Sequence, residues 1–441
     1  MREASPLSLL EPRRLAAVFG LLFVLNYFDT AAVGGVKFAL VWRAAFVAFA
    51  LAVIASRPWR DDPVTRGLAP LFWAWSAYVA APLVSLAFGG VTTALAFEAT
   101  GHRLLPLLVV LLMISLRRVA EADLLLRGLA FFLCAVSVPL YLGVIAPIAQ
   151  PFTLEHVIGL TARAYTSVFQ NQHSAALAHA IAALVAWSIV VRVPRTQSWP
   201  YAAAFVGCVA LNAATTARAG LAAVAIGLLV LAAATRSWRL LLVPLAAAIL
   251  VALHAMVAWP QLYEFATERM LGRTMYQAGL SADAFTSGRL SLQQAALDAY
   301  SRQDFMLQAF GMGRDMAMAQ IGLRSGTELM AHNAFVDELL NHGAVGLAAL
   351  LAMLTIAGRT AYRNACAGFP LGLALFCAIA VFGALQSFDY SLHLSLAALA
   401  IWLESECRAQ PRERTLAVAA APAQHVTALS SRMDNPWLQT R

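Results

Sequence analysis

The sequence predicts an all-α integral membrane protein. Three observations predict it: 61% of the 441 residues are hydrophobic and only 12% charged, the mean hydropathy is +0.71, and the apolar residues fall in blocks about the length of a membrane span. So little polar surface cannot coat a soluble globule of this size, which excludes a soluble enzyme. Blocks of ~20 residues cross a hydrocarbon layer of ~30 Å as helices, whereas barrel strands require shorter alternating segments, which do not occur. Ordinary numbers of Gly and Pro, with five Cys, exclude collagen-like, disordered and disulfide-scaffold classes.

Taken in order, helices are expected near 15–28, 37–55, 67–89, 93–116, 124–146, 173–191, 199–216, 219–235, 239–258, 343–358, 368–388 and 390–404, about twelve spans. The first, behind Arg13 and Arg14, has no small-residue cleavage site before Asn26 and Tyr27 and reads as a retained anchor. With the N-terminus cytoplasmic, every inside loop is basic: Arg57, Arg60 and Arg66; Arg117 and Arg118; Arg192 and Arg195; Arg236 and Arg239; Arg359 and Arg363. The net charge of +8 is then loop bias, and nucleic acid is not an expected partner. The tail 405–441, with Arg408, Arg412 and Arg414, is expected to be cytoplasmic and disordered, so both termini face the cytoplasm. Cys134, Cys208, Cys366, Cys377 and Cys407 all fall in spans or on the cytoplasmic side, and no structural disulfide is expected.

The chain therefore divides into nine spans (1–258), a large outer segment between spans nine and ten (259–342), three more spans (343–404) and the tail (405–441). The outer segment has helical apolar spacing at Leu290, Ala295 and Leu297 and again from Phe310 to Ile321, broken by Gly272, Gly288, Gly311 and Gly313. Amphipathic helices folded over the outer membrane face are expected there. A second long outer connection runs over 147–172.

Arginines on the outer side are the anomalies: Arg103, Arg163, Arg218, Arg269, Arg273, Arg289, Arg302, Arg314 and Arg324. Arg218, in Ala217-Arg218-Ala219-Gly220, stands between two spans with almost no loop to hold it. Near a helix centre such a charge costs ~2.5–3.5 kcal/mol. It is either a snorkelling side chain or an anion clamp, since the planar guanidinium donates two parallel hydrogen bonds to phosphate. Arg289, in Ser287-Gly288-Arg289-Leu290, is the second clamp candidate, against a solvated loop charge.

His332, in Ala331-His332-Asn333-Ala334-Phe335, is the candidate general base, because an imidazole with a pKa near ~6.5 accepts a proton from a sugar hydroxyl at neutral pH. For His342, His173, His254 and His393 an ordinary interfacial or core role is the better reading. Asp389, in the short turn between the last two spans, can pair with an arginine or orient a histidine, or simply form the turn. The polar stretch from Arg163 to His173 suits the lining of a glycan groove. The chain has no P-loop, Gly-x-Ser-x-Gly, His-Glu-x-x-His or outer carboxylate pair, so a nucleotide-driven or metal-dependent site is disfavoured.

Three separated motifs resemble the O-antigen ligase and O-antigen polymerase superfamily of bacterial inner-membrane glycosyltransferases. They are Ala217-Arg218-Ala219-Gly220, then Ser287-Gly288-Arg289-Leu290 followed by Gly311-Met312-Gly313, then His332-Asn333 followed by Gly343 and Gly346. The resemblance covers roughly 160–390 and departs from the family pattern at Ala217, at Gln293 or Gln294, and at Gln308. It implies a GT-C-like helical fold with a periplasm-facing site and no metal or cofactor. It also implies that Arg218 and Arg289 engage the diphosphate of an undecaprenyl-diphosphate-linked glycan while His332 assists an acceptor hydroxyl, with Asn333, Asp389, Arg163 and Arg103 as possible supports. Lipid A-core is the expected acceptor for a ligase. A polymerase using the same donor and a lipid-linked glycan transporter or flippase are the alternatives.

Overall fold

The computed structural model describes residues 32–33, 36–56, 63–116, 119–144, 152–157, 160–167, 169, 171–238, 241, 289–326, 328–387 and 391–420. The expected spans at 15–28 and, but for residue 241, 239–258 lie outside the described residues, as do 259–288, Asp389 and Arg57, Arg60, Arg117, Arg118 and Arg239.

Helices dominate what is described. In chain order they are α1 (Phe38–Ala55), α2 (Pro63–Phe88), α3 (Thr93–Ser115), α4 (Val119–Tyr141), α5 (Gln172–Val190), α6 (Arg195–Ala214) and α7 (Arg218–Thr235). Then follow α8 (Arg289–Ser301), α9 (Phe305–Phe310), α10 (Arg314–Ser325), α11 (Ala334–Cys366), α12 (Leu371–Leu385) and α13 (Ser391–Ala420). Among the described residues five helices, α2, α3, α5, α7 and α11, are long and apolar enough to cross a membrane. The chain is a membrane protein. Pro70, Pro82, Pro106 and Pro139 lie inside α2, α3 and α4, where neighbouring helices shield the interrupted hydrogen-bond ladder.

Burial identifies the centre of the bundle. The most apolar stretch of α5 is 89% buried, against 39–44% for the other four spans, so α5 is surrounded by protein while the others turn one side outward. Val41, Phe49, Trp73, Phe97 and Trp199 are among the apolar side chains left exposed, as lipid-facing surface requires. The small residues of α5 let its neighbours approach closely. A Cβ on Gly220 of α7 would lie 2.7 Å from the Ala176 Cβ, and one on Gly227 would lie 2.3 Å from Leu184 Cδ1. The two contacts advance in step along both helices, so α5 and α7 run parallel and their N-termini share one end of the bundle. At the opposite end, Glu404 of α13 accepts from the amides of Leu371 and Gly372 at the start of α12, at 2.7 and 2.9 Å. Nearby, Asn364 of α11 donates to Ile401 O.

The structure departs from the sequence expectation in three places. The described residues include two antiparallel ribbons, Ala32–Val33 with Val36–Lys37 and Phe152–Val157 with Leu160–Tyr165. The second falls in the outer connection 147–172, where short runs holding Thr153, Val157, Thr161 and Tyr165 suit pleated backbone and are too brief to cross a membrane. Next, α11 starts at Ala334, so its first turns were assigned to the outer segment and the helix bends at Gly343 (φ 68°, ψ −169°). Finally, α13 continues to Ala420, so the start of the expected disordered tail is helical, built from good helix formers such as Glu406, Arg408, Ala409 and Gln410. All five cysteines are free thiols, with Cys134 and Cys208 3.7 Å apart between α4 and α6.

Candidate functional site

The outer segment is fastened to the spans by a backbone braid, which sets everything above it. Gly343 interrupts α11 in a conformation open essentially to glycine alone, which frees carbonyls of the preceding turn from the helical ladder. Those carbonyls do not go unpaired: Leu340 O accepts from Met312 N at 2.8 Å and Asn341 O from Gly313 N at 3.3 Å. Gly311 (φ 88°) lies so close that a Cβ there would fall 2.3 Å from Asn341 O. On its other side, Gly90 N, at the end of α2, donates to Gly311 O at 3.0 Å. The Gly-Met-Gly of the second motif and the Gly343 of the third are thus two halves of one joint. Above it, Leu292, Ala296, Met312, Ala317, Ile321, Ala331 and Leu340 form a small core of their own. Asp298 bridges Arg302 and Arg324, whose guanidinium groups hold its carboxyl below the usual carboxylate range.

The N-terminal ends of α5, α7, α8 and α11 and the C-terminal end of α12 carry the candidate side chains. Arg289 opens α8, and its Nη1 donates to the Leu385 carbonyl at the end of α12. The next residue, Gln386, faces Arg289 and His173; because a guanidinium can only donate, the carboxamide atom toward it is assigned as the oxygen, which then accepts from Arg289 Nη2 at 2.6 Å, Arg289 Nη1 at 3.2 Å and His173 Nδ1 at 3.2 Å. His332 stands two residues before Ala334, whose amide donates to the backbone oxygen of the same Gln386 at 3.1 Å, so it reaches the group that joins Arg289 and His173. The structure therefore brings two of the three principal sequence candidates, Arg289 and His332, together around a histidine that sequence reasoning set aside.

His332 is half-buried with φ 53°, a left-handed conformation that costs a non-glycine residue ~1–3 kcal/mol and persists only where its surroundings over-determine it. Here they do. The buried Asp337 carboxylate accepts from Ala331 N at 2.9 Å through Oδ1 and from the Ser387 hydroxyl through Oδ2. Ala334 N donates to the Gln386 backbone oxygen at 3.1 Å. Asn333 caps α11, its Oδ1 accepting from Phe335 N at 3.0 Å and Val336 N at 3.3 Å. Residues on both sides of His332 are thereby tied to α11 and to the chain that follows α12.

Arg218 is the first residue of α7 and half-buried. Thr216 before it has φ 59°, and Thr215 fastens the turn by donating to Asn212 O at 2.6 Å and accepting from Ala217 N at 3.3 Å. The packing of Gly220 on Ala176 places Arg218 at the end of the bundle that carries His173. A guanidinium at a helix N-terminus adds to the positive end of the helix dipole, a setting suited to an anion.

The supporting candidates separate. Arg103 forms a two-pronged ion pair with Glu338 of α11, Nη1 to Oε1 at 3.1 Å and Nη2 to Oε2 at 2.6 Å. It also donates to Tyr78 O at 3.0 Å and stacks 4.0 Å above the Tyr78 ring. That geometry occupies Arg103 in joining α2, α3 and α11, and a Cβ on Gly346 would fall 2.7 Å from Glu338 Oε1, which accounts for that glycine. Arg163 sits on the second ribbon opposite Leu154. Asp389 lies outside the described residues.

Sequence reasoning missed Asp337 and Gln386, and placed His173 only at the end of a polar stretch suited to a glycan groove, with an ordinary role for the residue itself. Asp337 carried a readable signal, an acidic side chain entering an apolar span. A neutral glutamine carries none. Among the described residues, no three His, Cys, Asp or Glu side chains gather as metal ligands do.

Comparison with protein families gives a match, over residues 202–351, to the family described as O-antigen ligase. The matched stretch contains Arg218, Arg289 and His332. The motif resemblance is thereby borne out for this stretch, about a third of the chain, which is similar to the O-antigen ligase family. Comparison of the whole chain with curated proteins gives no match.

Proposed function

We propose that the protein is an O-antigen ligase, transferring a glycan from undecaprenyl diphosphate to lipid A-core at the periplasmic face of the bacterial inner membrane. The observation that carries the reading is the convergence of Arg289 and His332 about His173, with Arg218 at the same end of the bundle, inside the matched domain. In this reading the polyprenyl tail stays in lipid while Arg218 and Arg289 hold the diphosphate and offset the charge that builds on it as it leaves. The acceptor hydroxyl oxygen forms a bond to the anomeric carbon, the carbon–oxygen bond to the diphosphate breaks, and the hydroxyl proton passes to His332. A single displacement inverts the anomeric configuration. No nucleotide or metal is needed, because the donor carries its own leaving group. About twelve spans in a GT-C-like arrangement, with both termini cytoplasmic, complete the proposal.

A polymerase differs only in adding the same donor to another lipid-linked chain. A transporter instead needs ionisable groups on broken helices at mid-membrane depth. Reconstitution of the purified protein in proteoliposomes with donor and lipid A-core tests all three: glycosylated lipid A-core without nucleotide or added metal is the expected product. Elongated donor would make it a polymerase, and glycolipid moved without reaction a transporter. Arg218→Ala and His332→Ala are expected to insert normally and lose transfer, and wild-type turnover in either folded variant overturns its assignment. Arg289→Lys is expected to be impaired, because an ammonium cannot keep Leu385 and Gln386 while presenting a fork to phosphate.

A further inference from the structure

The Gln386 carboxamide has one oxygen between two donors of different kinds, the Arg289 guanidinium and His173 Nδ1. A neutral imidazole that donates through Nδ1 is in the tautomer whose Nε2 accepts. His173 is moreover the second residue of α5, with its backbone N–H held by Asn171 Oδ1 at 2.9 Å, so the ring is fixed at its base as well as at its edge. Gln386 is fixed in turn, its backbone oxygen accepting from Ala334 N beside His332. One side chain thus sets the direction of a cation and the tautomer of a neighbouring neutral base.

These two groups suit the two halves of a sugar diphosphate. The guanidinium suits the anionic oxygens, and a neutral imidazole acceptor suits a hydroxyl or amide N–H and is ill-matched to phosphate oxygen. We propose that His173, oriented by Gln386, is a sugar-binding residue of the site, accepting a hydrogen bond from the monosaccharide joined directly to the lipid diphosphate that Arg289 holds. The inference rests on the donor class proposed above and assigns a site for its reducing-end sugar.

Two probes separate the sugar contact from the diphosphate contact: undecaprenyl diphosphate, and undecaprenyl diphosphate carrying one N-acetylglucosamine. Affinities are measured for the full-length protein in nanodiscs. Wild type is expected to bind the sugar-bearing lipid about threefold to tenfold more tightly, the factor one neutral hydrogen bond supplies. His173→Asn keeps a donor where Nδ1 was and loses the acceptor at the far edge. It is expected to bind both lipids with the wild-type affinity for the bare diphosphate. His173→Gln places its oxygen near the position of Nε2 and is expected to restore part of the preference. Arg289→Ala is expected to weaken both lipids together.

A sugar preference that survives in His173→Asn, an equal loss for both lipids in that variant, or no preference in wild type overturns the assignment of His173. Failure of wild type to bind either lipid overturns the donor class instead.

Discussion

Replacing Asp337 by alanine removes two hydrogen bonds that help to hold the chain on either side of the site, those from Ala331 N and the Ser387 hydroxyl. A buried donor left without its acceptor costs about 1–3 kcal/mol, so the pair supplies about 2–6 kcal/mol. The left-handed backbone of His332 costs about 1–3 kcal/mol, within what this clamp of two bonds provides. Without Asp337 the loop is expected to relax, and displacement of a reacting group by ~1 Å lowers turnover by about 100-fold. Arg289 is held separately, by Leu385 and Gln386, so donor binding is expected to persist. Steady-state transfer in proteoliposomes separates the two effects: kcat falls by about two orders of magnitude while KM for the donor stays within about threefold. Asp337→Asn, which keeps the acceptor for Ala331 N, is expected to fall between. A folded Asp337→Ala variant with wild-type kcat, or one whose loss lies wholly in donor KM, would refute the clamp.

Three further predictions concern the scaffold. Gly343→Ala forces a Cβ to within 2.4 Å of the Ala309 backbone in a conformation reserved for glycine. It is expected to destabilise by more than about 3 kcal/mol, read as a lowered thermal transition in detergent, whereas Gly101→Ala, which meets nothing, is not. Arg103→Leu leaves the Glu338 carboxylate buried and uncompensated and is expected to cost about 3–5 kcal/mol, while the double change Arg103→Leu with Glu338→Leu is expected to recover most of it. A double variant no more stable than the single one would contradict a structural role for the pair. The Asp298 carboxyl is held below its unfolded value by Arg324 and Arg302, so its contribution is present above about pH 4 and is lost as pH falls through the depressed value. Limited proteolysis of the α8–α10 segment is expected to accelerate below that pH in wild type, and Asp298→Asn to remove the dependence.

Much of the architecture was legible because the bilayer imposes a long, coarse pattern. Where a block such as 173–191 or 219–235 is apolar for about twenty residues, α5 and α7 follow within a residue or so. The ribbon at 152–165 was not legible, since a pair of six-residue strands among long apolar helices has too short a period to stand out. Among the candidate residues, Arg218 was visible because it is an ionisable group between two spans, and Arg289 and His332 because of the short motifs that hold them. Gln386 was invisible, and His173 was given no role of its own, for the opposite reason. They are ordinary polar residues at helix ends, and only their meeting, 213 positions apart in sequence, gives them a role.

The sequence by itself determined that this chain lives in a membrane and, for helices such as α5 and α7, where they begin and end. Those follow from transfer free energies, which depend on composition and order along the chain and on little else. Tertiary structure alone decided that Gly311 and Gly343 are one joint, that Arg103 is occupied by Glu338, and that a glutamine between an arginine and a histidine orients both. Such facts depend on distances between segments far apart in sequence, and hydropathy carries no record of which helix ends will meet.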